Sequence, residues 1–123
     1  MTISEALARA KAVKPNTYSD TDMIRWLSTL DGFIKEHIID THEGGDDIVF
    51  NGYDENTSLA TELIVPAPHD HIYVHWLEAQ IDYANDEYDR YENTMGMYNT
   101  AYDNFKNYYN RTHMPKGKKF KFF

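Results

Sequence analysis

The chain has no cysteine among its 123 residues. That excludes a disulfide framework and any thiolate metal site, and it suits a reducing compartment. Proline is scarce: Pro15, Pro66, Pro68 and Pro115 are all there are. From His69 to Thr112 there is no proline, and Gly96 is the single glycine. No apolar run approaches the ~20 residues that a membrane span needs. The N-terminus MTISEALARAKAVK is amphipathic and lacks the apolar core and small-residue cleavage site of an export signal. The expectation is a protein made in the cytoplasm that touches no membrane. Glycine-rich phosphate loops, nucleophile elbows and kinase-type motifs are missing as well. The expected function is therefore not enzymatic, with no cofactor and no metal.

Basic charge is scarce over most of the length. Residues 1–110 hold seven Lys and Arg against all 20 Asp and Glu, a balance of −13. Residues 111–123 carry five bases and no acid, which brings the whole chain to −8. An acidic body repels DNA phosphates. The short basic, aromatic end needs a separate explanation.

What is present is aromatic and helically periodic. Ten Tyr and two Trp supply apolar area with a polar handle, suited to a core and to protein interfaces. Thr2 with Glu5 reads as a capping box for a first helix carrying the stripe Ile3, Leu7, Ala10 and Val13, which ends before Pro15. Ser19 caps a second helix with Asp20 and Asp22 in its first turn. Its stripe is Met23, Ile24, Leu27, Leu30, Ile34 and Ile38, widened by Trp26 and Phe33, and it runs to about Asp40. Residues 43–67 are irregular. Ile48–Phe50 and Leu63–Val65 are candidate strands of a small two-stranded element, with Asn51-Gly52 as a hairpin turn.

From Val74 the apolar and aromatic residues recur at three and four through Leu77, Ile81, Ala84, Tyr88 and Tyr91. The same step continues through Met95, Tyr98, Tyr102, Phe105 and Tyr109. A heptad seam without a slip favours one long helix over 69–112, with a bend near Asn93–Gly96 as the alternative. Forty helical residues would reach about 60 Å. A compact domain of this size is only about 28 Å across, so part of such a helix packs on another chain or turns back. The fold class expected is mainly α: a small helical bundle with one long C-terminal helix, the short β element in the 43–67 loop, and an extended C-terminal tail. The division is a helical domain over 1–112 and a tail over 113–123.

Three candidate sites follow. His69, His71 and His75, with Asp70 nearby, are the best metal candidate, since four-residue spacing puts two ligands on one helical face. No HExxH motif accompanies them, and solvated or hydrogen-bonded histidines are the ordinary alternative. A metal-dependent enzyme built on these histidines is the runner-up function. Asp82, Asp86 and Asp89 share a helical face; they read as a solvated face that could line a channel, or as the carboxylate-rich surface of an inhibitor mimicking nucleic acid. The tail offers Arg111, His113, Pro115, Lys116, Lys118, Lys119, Phe120, Lys121, Phe122 and Phe123. It has too few apolar residues to fold alone, so nucleic acid, an anionic membrane or a partner's subunits are its candidate contacts, with a disordered tail as the ordinary alternative. Docking onto a partner, and not onto its own body, is the reading preferred.

The pieces SEALARAKAVKPNTYSD, MIRWLSTLDGFI, LIVPAPHDHIYVHWLEAQIDYANDEYDRYEN and YNTAYDNFKNYYNRTHMP occur in this order. Together they resemble the small head–tail connector proteins of long-tailed bacteriophages, also called adaptor or head-completion proteins. The chain departs from that pattern at Glu92-Asn93-Thr94, where a tandem Asn pair is frequent, and at Asp86, where glycine is common. The resemblance implies a mainly helical subunit in a ring of about a dozen copies under the portal, in the neck of the virion. It implies a C-terminal segment docked into the portal, further connector or tail-completion proteins below, and transient, non-specific passage of double-stranded DNA through the ring. Asp82, Asp86, Asp89, Tyr88, Tyr91, Tyr98 and Tyr102 would then face the channel or a neighbouring subunit.

Overall fold

The computed structural model describes residues 1–116. Four helices carry the fold: α1 (Ile3–Val13), α2 (Asp20–His37), α3 (Ile72–Ala84) and α4 (Tyr88–Thr112). Two short 3₁₀ turns, Ile39–Thr41 and Gly45–Asp47, follow α2.

The helix starts follow from local chemistry. Thr2 accepts from the Glu5 amide while the Glu5 carboxylate takes the Thr2 amide, so the capping box is complete. Ser19 Oγ accepts from the Asp22 amide at 3.1 Å. Between α1 and α2, Asn16 holds the chain extended around Pro15, donating to Lys14 O and accepting from the Tyr18 amide. The α2 stripe is buried throughout: Met23, Ile24, Leu27, Leu30, Ile34 and Ile38 are at most 4 % exposed. Phe33, expected to widen that stripe, is instead 51 % exposed and stacks on His37. Trp26 is half-buried and its carbonyl accepts from Trp76 Nε1 at 2.8 Å, which ties α2 to α3.

The single long helix is not what forms. The chain reverses at Asn85–Glu87 and α3 and α4 pack as an antiparallel pair, the largest helix–helix contact of the fold. Tyr83 meets Tyr91, Trp76 meets Tyr98, and His69 just before α3 meets Phe105. Each seven-residue step back along the first limb matches seven forward along the second. The reversal rests on Asp86, whose φ of 60° lies in the left-handed region that Asp tolerates better than most residues. The heptad phase survives because Ala84 and Tyr88 are four apart on either side of the turn and both helices present their apolar stripe to one core. Leu77, Ile81, Phe105 and Tyr109 are buried, whereas Ala84 and Tyr88 at the turn are exposed. The helix runs without a break past Asn93–Gly96.

The β element does not form either: no strand occurs among the described residues. Gly52 does adopt a left-handed φ of 86°, as a turn requires. The flanking backbone groups find other partners. Leu63 N donates to Met1 O and Ile3 N to Thr61 O, both at 3.0 Å, so 61–63 lies against the N-terminus. Ile64 N donates to Asp31 Oδ2 at 3.2 Å, and Val65 N to the Tyr73 hydroxyl at 2.7 Å. Tyr53 N donates to Ser28 Oγ at 3.0 Å. Side chains of α2 and α3 hold this segment in place of a strand partner. Leu63 and Val65 still enter the common core.

Candidate functional site

The region of the basic end is built where α4 meets the first 3₁₀ turn. His42 is buried there, its Nδ1 2.6 Å from Ile38 O and its Nε2 2.8 Å from Asn110 Oδ1. The Tyr109 ring meets it edge-on, and His113 stacks flat on Tyr109 with centroids 3.7 Å apart. The chain then runs antiparallel to residues 41–43. Glu43 N donates to Met114 O and Lys116 N to Thr41 O, each at 2.8 Å, with an isolated bridge between His42 and Pro115. Lys116 Nζ reaches Asp46 Oδ2 at 2.7 Å; this contact raises the Lys116 ammonium pKa and lowers that of the Asp46 carboxyl.

The tail reading is therefore revised at its root: His113, Pro115 and Lys116 pack on the protein's own body, and Arg111 is exposed in the last turn of α4. Lys118, Lys119, Phe120, Lys121, Phe122 and Phe123 lie outside the described residues. The surface receiving the root is acidic, with Asp40, Glu43, Asp46 and Asp47 falling within eight residues that hold no Lys or Arg. Sequence reasoning missed this partner, although the charge contrast between DTHEGGDD and the basic end was its visible signal.

The proposed carboxylate face divides in two. Asp82 is 1 % exposed, ion-paired with Lys14 and accepting from Thr94 Oγ1 at 2.9 Å. It joins the end of α1 to the α3–α4 pair and is not on a solvated face. The Lys14 ammonium is held protonated, its pKa raised chiefly by the bond to Asp82 and further by Glu87. Asp86 and Asp89 do stand exposed at the turn. Tyr88 is 54 % exposed and donates to Asp86 Oδ1 at 3.0 Å. Tyr91, Tyr98 and Tyr102 are half-buried. Tyr98 lies 5.0 Å from the Trp76 ring, and burial raises its phenol pKa, as it does for Tyr102. These two rings belong to the helix pair more than to an open face.

The histidines do not converge. His69 lies against Tyr108 and Phe105, with centroids at 4.8 and 5.8 Å. His71 Nδ1 sits 3.1 Å from Pro68 O, and its ring meets that of His75 at 5.6 Å. Burial, then the neighbouring His71, lowers the His75 pKa. Among the described residues no three His, Asp or Glu side chains are placed to share a metal ion, and no helix is long and apolar enough to cross a membrane.

A second buried carboxylate was not singled out from sequence. Asp31 on α2 is fully buried, accepting 2.6 Å hydrogen bonds from the hydroxyls of Tyr53 and Tyr73 as well as the Ile64 amide. Burial outweighs those donors and raises its pKa. The same burial, with the adjacent carboxylate, keeps both phenols protonated. The group is a clasp for the 53–65 segment, with all three donors directed at the one carboxylate.

Comparison with protein-family models, with curated proteins and with solved structures finds no match to this chain.

Proposed function

We propose that this chain is a structural subunit of a phage head–tail connector, docking beneath the portal as a ring and surrounding the DNA path after packaging. The observation that carries the reading is the ordered series of connector-like segments at 4–20, 23–34, 63–93 and 98–115. Two physical features support it. The body balance of −13 suits a wall past which DNA slides without sticking. A basic, phenylalanine-bearing end suits insertion into a larger partner, with rings buried in a groove and lysines at its rim. On this reading Asp86, Asp89 and Tyr88, exposed at the α3–α4 turn, face the channel or the next subunit. The portal is the main partner, and the protein resides in the virion neck after synthesis in the host cytoplasm. Its work is assembly, without a catalytic step or cofactor.

Deleting residues 117–123 tests the docking role while leaving the His42–Pro115 pairing in place. The expected result is a soluble, folded chain that no longer attaches to portal rings and yields heads that leak their DNA. Infectious particles from the deletion would refute the role assigned to that segment. The isolated chain is also expected to leave duplex DNA unshifted in a gel at physiological salt, and a Kd tighter than about 1 μM would count against a non-sticking wall.

A further inference from the structure

An apolar groove opens beside the root of the tail. Its volume is about 190 Å³, and Ile39, Ile48, Ile64, Pro66, Tyr108 and His113 are among its walls, with buried Phe105 at its base. A cavity of ~150 Å³ is enough to hold a benzene ring. Ile48 is 38 % exposed at the groove and Val49 next to it 79 % exposed, so apolar surface continues outward from it. Beside it runs the acidic stretch Asp40–Asp47, where Glu43, Asp46 and Asp47 are exposed.

We infer that this groove is the seat of residues 117–123 of the same chain, holding one of Phe120, Phe122 or Phe123 before the segment is given over to a partner. Three observations point to this occupant. The chain enters from the right place: His113 is itself a groove wall, and Lys116 is held between Thr41 O and Asp46. The length is ample, since seven further residues span about 24 Å at full extension. The chemistry matches as well: the segment GKKFKFF pairs three phenylalanines with three lysines, for an apolar slot beside four carboxylates. Attachment to the same chain gives the segment an effective concentration in the millimolar range, so even a weak fit is populated.

The seat is independent of the portal reading, because it needs only the isolated chain. The test is methyl NMR of the full-length protein and of a full-length variant carrying Phe120→Ser, Phe122→Ser and Phe123→Ser. The expected result is a shift of the Ile48 and Ile64 methyl signals between the two, with the Ile24 signals in the core unmoved and the difference unchanged on dilution. Ile48 and Ile64 signals that coincide in the two proteins would overturn the inference. A difference that fades on dilution would also overturn it, since it would assign the groove to the tail of a second copy.

Discussion

Asp31 and Asp82 are both buried carboxylates in a strongly acidic chain, yet they are accommodated in opposite ways. Asp82 meets a cation, Lys14, whose side chain is 14 % exposed, and a hydroxyl from Thr94. Asp31 meets no cation among the described residues; two phenols and an amide satisfy it. The first arrangement fixes a helix end to a helix pair through charge. The second fixes a loop to two helices through neutral donors and leaves its carboxyl easier to protonate. A buried charge is tolerable when it is paired or fully hydrogen-bonded, and each site takes one of those routes.

The apolar core between the two clasps sets the scale. Leu77, on α3 between Tyr73 and Asp82, is fully buried, and Leu77→Ala is expected to destabilise by about 4 kcal/mol in urea titration. A loss well under 1 kcal/mol would mean that α3 does not supply the core joining the clasps. Next in size is Lys14→Met, which strands Asp82 without its cation. About 3 kcal/mol is expected, the low end for a broken buried pair because Lys14 is partly exposed. Lys14→Met combined with Asp82→Leu is expected to recover a large part of that loss; no recovery would show that the pair does more than neutralise itself. Tyr53→Phe at the other clasp removes one neutral donor and is expected to cost only about 1 kcal/mol. Should it match Lys14→Met, the contrast between charged and neutral clasps fails.

Acidity separates the two sites further. The folded-state pKa of Asp31 is raised above the ordinary 3.8. Below that value the carboxyl is protonated in both states and contributes no pH dependence. As pH rises from there through the folded pKa, the folded protein binds more protons than the unfolded chain, so stability from this group falls and then levels off. Asp31→Asn lacks the titration. The stability of the native chain relative to Asp31→Asn is therefore expected to decline as pH rises from about 4, and a constant or growing difference would contradict the burial assigned to Asp31.

The helix caps and the α2 stripe were legible because they depend on neighbours in sequence: Thr2 with Glu5, Ser19 with Asp22, Met23 through Ile38. The reversal at Asn85–Glu87 was not, because both limbs obey the same apolar period and the turn contains neither glycine nor proline. Asp86 takes the positive φ that the reversal needs, but an aspartate inside an unbroken helical period is no turn signal by itself. Strand-like Ile48–Phe50 and Leu63–Val65 misled because β-prone residues reveal apolar character, not the backbone partner they find. Here those partners were Asp31, Ser28, Tyr73 and the N-terminus, all distant in sequence. The burial of Asp31 and Asp82 was equally invisible, since periodicity locates a carboxylate on a helix but not the phenol or ammonium brought to it by another element. The charge contrast of the basic end was visible in sequence, while the acidic turn that receives its root lies some 70 positions earlier in the chain, in Asp46 for Lys116.

Native mass measurement of the chain mixed with an isolated portal ring tests the connector assignment most directly. The account predicts a single larger species in which the portal ring has gained a full ring of about a dozen copies, and no such species for the chain lacking residues 117–123. A portal ring whose mass is unchanged by the intact chain would contradict it.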